Sequence, residues 1–136
     1  MAAMQQKHRS IWVKNPNEIF GIDSTKKPVG GLVLRDGKVA QILLPGESVT
    51  TAVDEVIDAR GLVVLPGLIN THHHFYQSLT RSMRDAINRP LFPWLSTLYP
   101  VWAEQSAADI EIATRLVLAE LLLSGCTTTT DHHYLF

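Results

Sequence analysis

The sequence of 136 residues holds a single cysteine, no long unbroken apolar run and almost no net charge. Each shortage excludes something. Cys126 alone cannot close an intrachain disulfide, which fits a reducing compartment, and a cytoplasmic location is expected. The two most apolar stretches, Leu62–Ile69 and Leu116–Leu123, are broken by Pro66 and Glu120. Both fall well short of the ~20 residues of a membrane helix. The first fifteen residues lack the uninterrupted apolar core of a secretory leader. Twelve Lys and Arg against thirteen Asp and Glu leave a charge of −1, so no field draws nucleic acid or an anionic membrane to the chain. The basic bias of Lys7, His8, Arg9 and Lys14 reads as a solvated tail. Neither an internal repeat nor a low-complexity segment is present. With 46% apolar and 18% charged residues, a modest globular core is affordable.

Residues 1–9 read as disordered, and Ser10–Lys14 as a short strand ended by Asn15-Pro16-Asn17. Glu18–Ile22 is a second strand candidate. Leu32–Arg35 and Lys38–Leu44 flank Asp36-Gly37, a strong hairpin signal because a type I′ turn needs positive φ at both central residues. Glu55–Asp58 and Leu62–Leu65 complete a β region with no helical period. At Pro66-Gly67 the character changes, which predicts a boundary between a β subdomain, residues 1–66, and a second unit, residues 67–136. There, Leu68–His72 reads as a buried parallel strand, and Leu91–Leu98 as a short helix stopped by Pro100. A longer helix follows, with Ser106 as N-cap, Asp109 completing a capping box and Gly125 at the stop. Its wide apolar arc predicts packing against a sheet. Cys126–Asp131 is a β-branched strand, so the order strand, helices, strand predicts a parallel βαβ crossover and an α/β fold.

Histidine placement carries the chemistry. Five of the six histidines fall at the carboxyl ends of the two predicted parallel strands, where α/β folds gather their sites. Side chains alternate along a strand, so His72 and His74 share a side and His73 faces away. Two imidazoles so placed suit one Zn²⁺, or alternatively Fe²⁺. The plain alternative is a set of satisfied core or surface histidines, since His-x-His alone is a weak motif. His132 and His133 fit a pocket lining better than a metal role, and Asp131 a hydrogen bond to backbone or imidazole.

The segment from Asp58-Ala59-Arg60-Gly61 through Leu65-Pro66-Gly67-Leu68-Ile69-Asn70-Thr71-His72-His73-His74 resembles the opening of the amidohydrolase superfamily. The hairpin with Asp36-Gly37-Lys38 is similar to the strand pair that precedes it there. Leu91-Phe92-Pro93-Trp94-Leu95, Gly125-Cys126-Thr127-Thr128-Thr129 and Asp131-His132-His133-Tyr134 resemble the deaminase branch acting on purines and triazines, most closely its members acting on 8-oxoguanine. The resemblance covers about residues 10–136. It implies the N-terminal part of a (β/α)₈ TIM-type barrel preceded by a small β-sandwich subdomain. It implies that His72 and His74 bind one divalent metal ion. Gln77 matches a glutamine that contacts the substrate ring in that branch; the competing reading is a polar residue opening the next helix. Trp94 and Tyr99 would wall the pocket, or else fill core, and His133 would meet substrate.

The implied reaction is hydrolytic deamination of a small purine-like heterocycle by a metal-activated water. The remaining histidines, the aspartate and the proton-shuttling glutamate would lie beyond residue 136. A barrel needs ~250 residues, so the chain is expected to be an incomplete N-terminal fragment, inactive and poorly stable alone, and homo-oligomeric when full length. Two competing readings are a binuclear cyclic-amide hydrolase of the hydantoinase type and a non-enzymatic metal-binding domain.

Overall fold

The computed structural model describes residues 9–21 and 29–133. The expectations placed on residues 1–8, Ile22 and Tyr134 lie outside the described residues. The chain divides into two compact units, Met1–Pro66 and Gly67–Phe136.

In the first unit, β1 (Ser10–Lys14), β2 (Glu18–Ile19), β3 (Gly31–Arg35), β4 (Lys38–Leu43), β5 (Glu55–Asp58) and β6 (Val63–Val64) follow one another. A four-stranded sheet runs in the order β4-β3-β1-β5, antiparallel except where β1 meets β5. Asp36 and Gly37 have φ of 52° and 72°, the two positive values the tight turn requires. Between Val33 and Leu34 the β3–β4 register slips, leaving Ala40 as an extra residue. Strand alternation then sorts the side chains into two clusters. Val13 and Leu32 meet Ile19 and Ala59, while Trp12, Val33 and Leu43 gather with Val49 and Val53. β2 and β6 pair in parallel and bring Ile19 and Val64 to the first cluster. Both are shorter than expected: Gly21, at φ 86°, turns the chain after one, and Pro66 follows the other without an N–H to give.

The second unit contains β7 (Leu68–Asn70), 3₁₀ turns at Phe75–Thr80 and Arg84–Ala86, α1 (Leu91–Ala103), α2 (Ala107–Leu123) and β8 (Cys126–Thr129). β7 and β8 pair in parallel, as a βαβ crossover demands. A Cβ at Gly67 would run into the side chain of Thr127, so glycine lets the chain enter β7 against its neighbour.

α1 does not stop before Pro100 but continues to Ala103. An interior proline costs about 3 kcal/mol. Beyond it lies Trp102, buried against Tyr76 and Trp94, its Nε1–H donating to Thr80 Oγ1 at 2.9 Å. Burying an aromatic surface of that size is worth about 4–6 kcal/mol, which outweighs the proline.

α2 opens on the predicted capping box. Asp109 N–H donates to Ser106 Oγ at 3.3 Å, and Ser106 N–H and Oγ–H donate to Asp109 Oδ2 at 2.8 and 2.6 Å. Gly125 ends the helix at φ 83°. Ser106→Ala should cost about 1 kcal/mol, read from urea unfolding. Those bonds hold the Asp109 carboxyl below the usual carboxylate value. Their stabilisation is therefore full above that usual value and is lost as pH falls through the lowered one, so the variant should also blunt the acid-side loss of stability.

The wide arc of α2 is only partly covered. Ala113 and Val117 are buried, whereas Ile112, Leu116, Leu118, Leu122 and Leu123 are exposed. Two strands and one 3₁₀ turn are too narrow to cover more than one stripe of the helix. Among the described residues, no helix is long and apolar enough to cross a membrane.

Candidate metal centre

The ends of β7 and β8 are tied beyond their last ladder pair. Thr130 N–H donates to Asn70 O at 3.0 Å, and His132 N–H to His73 O at 2.8 Å. His72 N–H donates to Asn70 Oδ1 at 3.0 Å, an Asx turn at the tip of β7. Phe75 N–H donates to Asp131 Oδ1 at 3.0 Å, so the aspartate holds the start of the 3₁₀ turn.

On this frame the His72 and His74 rings converge, with Nε2 atoms 3.3 Å apart. His74 Nδ1 lies 2.8 Å from His132 O. A carbonyl only accepts, so Nδ1 carries the proton and Nε2 of the neutral ring presents its lone pair. That is the arrangement in which a histidine ligates a metal while a backbone carbonyl fixes its tautomer. Two nitrogens each 2.0–2.1 Å from a tetrahedral Zn²⁺ stand about 3.3–3.4 Å apart. The observed separation matches that distance. Two ligands fall short of the three protein ligands of a catalytic zinc site. Among the described residues, no group of three His, Cys, Asp or Glu side chains is disposed to hold a metal.

An open cleft of about 380 Å³ adjoins the pair. His72, His74, Gln77 and Trp94 share its wall. Gln77 Nε2 donates to Tyr76 Oη at 3.0 Å, and Gln77 O accepts from Thr80 Oγ1 at 3.0 Å. His73 turns its ring edge-on to Phe75, with its Nδ1 buried and lacking a hydrogen-bond partner, though part of the residue borders the cleft. His133 is not on that wall: it packs against the Tyr76 ring and lies 3.8 Å from Asp131 Oδ2. Tyr99 packs against Trp102. The ring of His132 instead stacks on His72 at 5.1 Å and 20°.

Arg81, which sequence reasoning passed over, borders the cleft and grips Glu120 of α2 through two bonds of 2.9 and 2.6 Å. The pairing raises the Arg81 pKa and lowers that of Glu120. A usable signal was in the sequence: Glu120 is the one charge in the apolar run Leu116–Leu123 and calls for a partner.

Residues 63–135 match the profile of the Amidohydrolase family. The chain is 53% identical over 128 residues to 8-oxoguanine deaminase of Pseudomonas aeruginosa, covering 92% of this chain and 28% of that enzyme. It is 44% identical over 82 residues to hydroxydechloroatrazine ethylaminohydrolase of Pseudomonas sp. strain ADP, covering 59% of this chain and 17% of the relative. Among solved structures, atrazine chlorohydrolase of Arthrobacter aurescens TC1 complexed with zinc superposes with a TM-score of 0.78 at 28% identity, over 93% of this chain and 29% of that one. The chain thus spans less than a third of the length of these relatives. The matching profile takes in β7, β8, both helices and the histidine pair, more than half of the sequence: the chain belongs to the amidohydrolase family.

Proposed function

We propose that this chain supplies the first two strands and the first two metal ligands, His72 and His74, of a (β/α)₈ barrel that hydrolytically deaminates a purine-like heterocycle such as 8-oxoguanine. In this reading residues 1–66 belong to a small β-sandwich subdomain that precedes the barrel in sequence. The observation that carries it is the 3.3 Å convergence of the two Nε2 atoms, one with its tautomer set by a backbone carbonyl. The names of the relatives, a purine deaminase and a triazine aminohydrolase, support the choice of bond.

A divalent metal held by the pair, Zn²⁺ in this reading, would lower the pKa of water enough to supply a nucleophile at neutral pH. The chain's own groups would bind and orient the base. Gln77 offers both an amide donor and an acceptor to the edge of a flat ring, and its position is braced by Tyr76 and Thr80. The Trp94 indole gives the cleft an aromatic wall suited to stacking.

The test is a chimera in which this chain replaces the matching 28% of the Pseudomonas aeruginosa enzyme. Ammonia release from 8-oxoguanine should persist, and Gln77→Ala in the chimera should raise KM or lower kcat/KM. A folded, metal-loaded chimera that opens a hydantoin but deaminates no purine, pyrimidine or triazine would overturn the proposal.

A further inference from the structure

We infer that His132 is the positioning residue for both imidazoles of the His72/His74 pair, holding one through its ring and the other through its backbone. The inference rests on the metal reading of that pair. His132 is itself anchored, since its N–H donates to His73 O at 2.8 Å between the two candidate ligands. Its carbonyl accepts the His74 Nδ1–H at 2.8 Å. Its ring lies nearly parallel to His72, 5.1 Å away and 20° inclined, and meets His74 at 5.4 Å and 62°.

This geometry separates a positioning role from a ligating one. A ligand aims the in-plane lone pair of a ring nitrogen at the metal, whereas a near-parallel stack presents the ring face. The χ2 torsion of a histidine is broad when nothing packs on it. A flat ring laid along His72 restricts that torsion and keeps its Nε2 aimed at His74. The neighbours in sequence cannot do this. Beyond the end of β8, Asp131 is engaged by the Phe75 amide and His133 packs on the Tyr76 ring.

The experiment uses the chimera that carries this chain in place of the matching part of the Pseudomonas aeruginosa enzyme, stripped of metal, then titrated with Zn²⁺ against a chromophoric chelator and with Co²⁺ by visible absorption. In parallel, the His72 ring protons are recorded by NMR without metal. His132→Phe keeps a flat ring and should bind Zn²⁺ nearly as well as the parent. His132→Ala should bind about 10-fold or more weakly, as when a group that orients a ligand is removed. The upfield shift that a stacked ring imposes on the His72 protons should survive in His132→Phe and vanish in His132→Ala. If circular dichroism shows the alanine variant unfolded, His132→Asn replaces it, with the same losses expected. Equal weakening by phenylalanine and alanine would overturn the inference in favour of a ligating imidazole. Unchanged affinity in His132→Ala, with binding abolished in His72→Ala, would overturn it while leaving the metal reading standing. Unchanged binding in His72→Ala would overturn the metal reading and this inference with it.

Discussion

In the chimera, His72→Ala should lose most of the Zn²⁺ that the parent chimera retains after equilibration and desalting, measured by elemental analysis, and His74→Ala should do the same. Each change removes one of the two nitrogens that stand 3.3 Å apart, and with it the chelate. His73→Ala is the control. Its ring edge is turned to Phe75, so the alanine variant should keep its metal. Equal stoichiometry in the parent, His72→Ala and His74→Ala would remove the ligand assignment. Loss on His73→Ala with retention on His72→Ala would mean that the side chains at the end of β7 face opposite to the arrangement described.

Trp102→Ala should destabilise the second unit by about 4 kcal/mol, within the range for removing a buried large aromatic. That is most of the margin of a small domain. Trp102 is 1% exposed and touches the rings of Tyr76, Trp94 and Tyr99. Its removal also takes the donor from Thr80 Oγ1, whose own proton goes to Gln77 O. Loss of the cooperative urea transition of the chimera, or a midpoint shift matching that energy, is the expected reading. Trp102→Phe, which loses the hydrogen bond but keeps much of the volume, should fall between. A shift no larger than that of Ser106→Ala would show that this aromatic cluster contributes little.

What could be read from the residues was whatever depends on local geometry. Asp36-Gly37 needs two positive φ values wherever it lies, and Ser106 with Asp109 closes a capping box from residues three apart. The alternation expected of His72, His73 and His74 presumed a strand running through His72, whereas β7 ends at Asn70 and all three residues border the cleft. Long-range packing could not be read the same way. Pro100 marks a helix end in isolation, but Trp102 sits beyond it and finds Tyr76, twenty-six positions earlier. The separation of His132 from His133 depends on how the tip of β8 docks on β7, which no pattern within Asp131-His132-His133 contains. Arg81 stayed hidden because its partner lies thirty-nine residues away on another element. The wide arc of α2 was legible, but the narrow surface offered to it was not.

The Arg81–Glu120 pair answers a question of uniqueness. A helix with leucine, isoleucine or valine around most of its circumference can rotate about its axis and still bury a similar apolar area, so the hydrophobic effect alone leaves its azimuth poorly determined. Glu120 lessens that degeneracy. Advance α2 by one residue, and a rotation of about 100° carries the carboxylate away from the Arg81 guanidinium. The pair is half exposed and adds little to the depth of the native well. What it contributes is a bias: one charge in an oily stretch favours the seating of the helix in which Glu120 meets Arg81, next to the turn that carries Gln77.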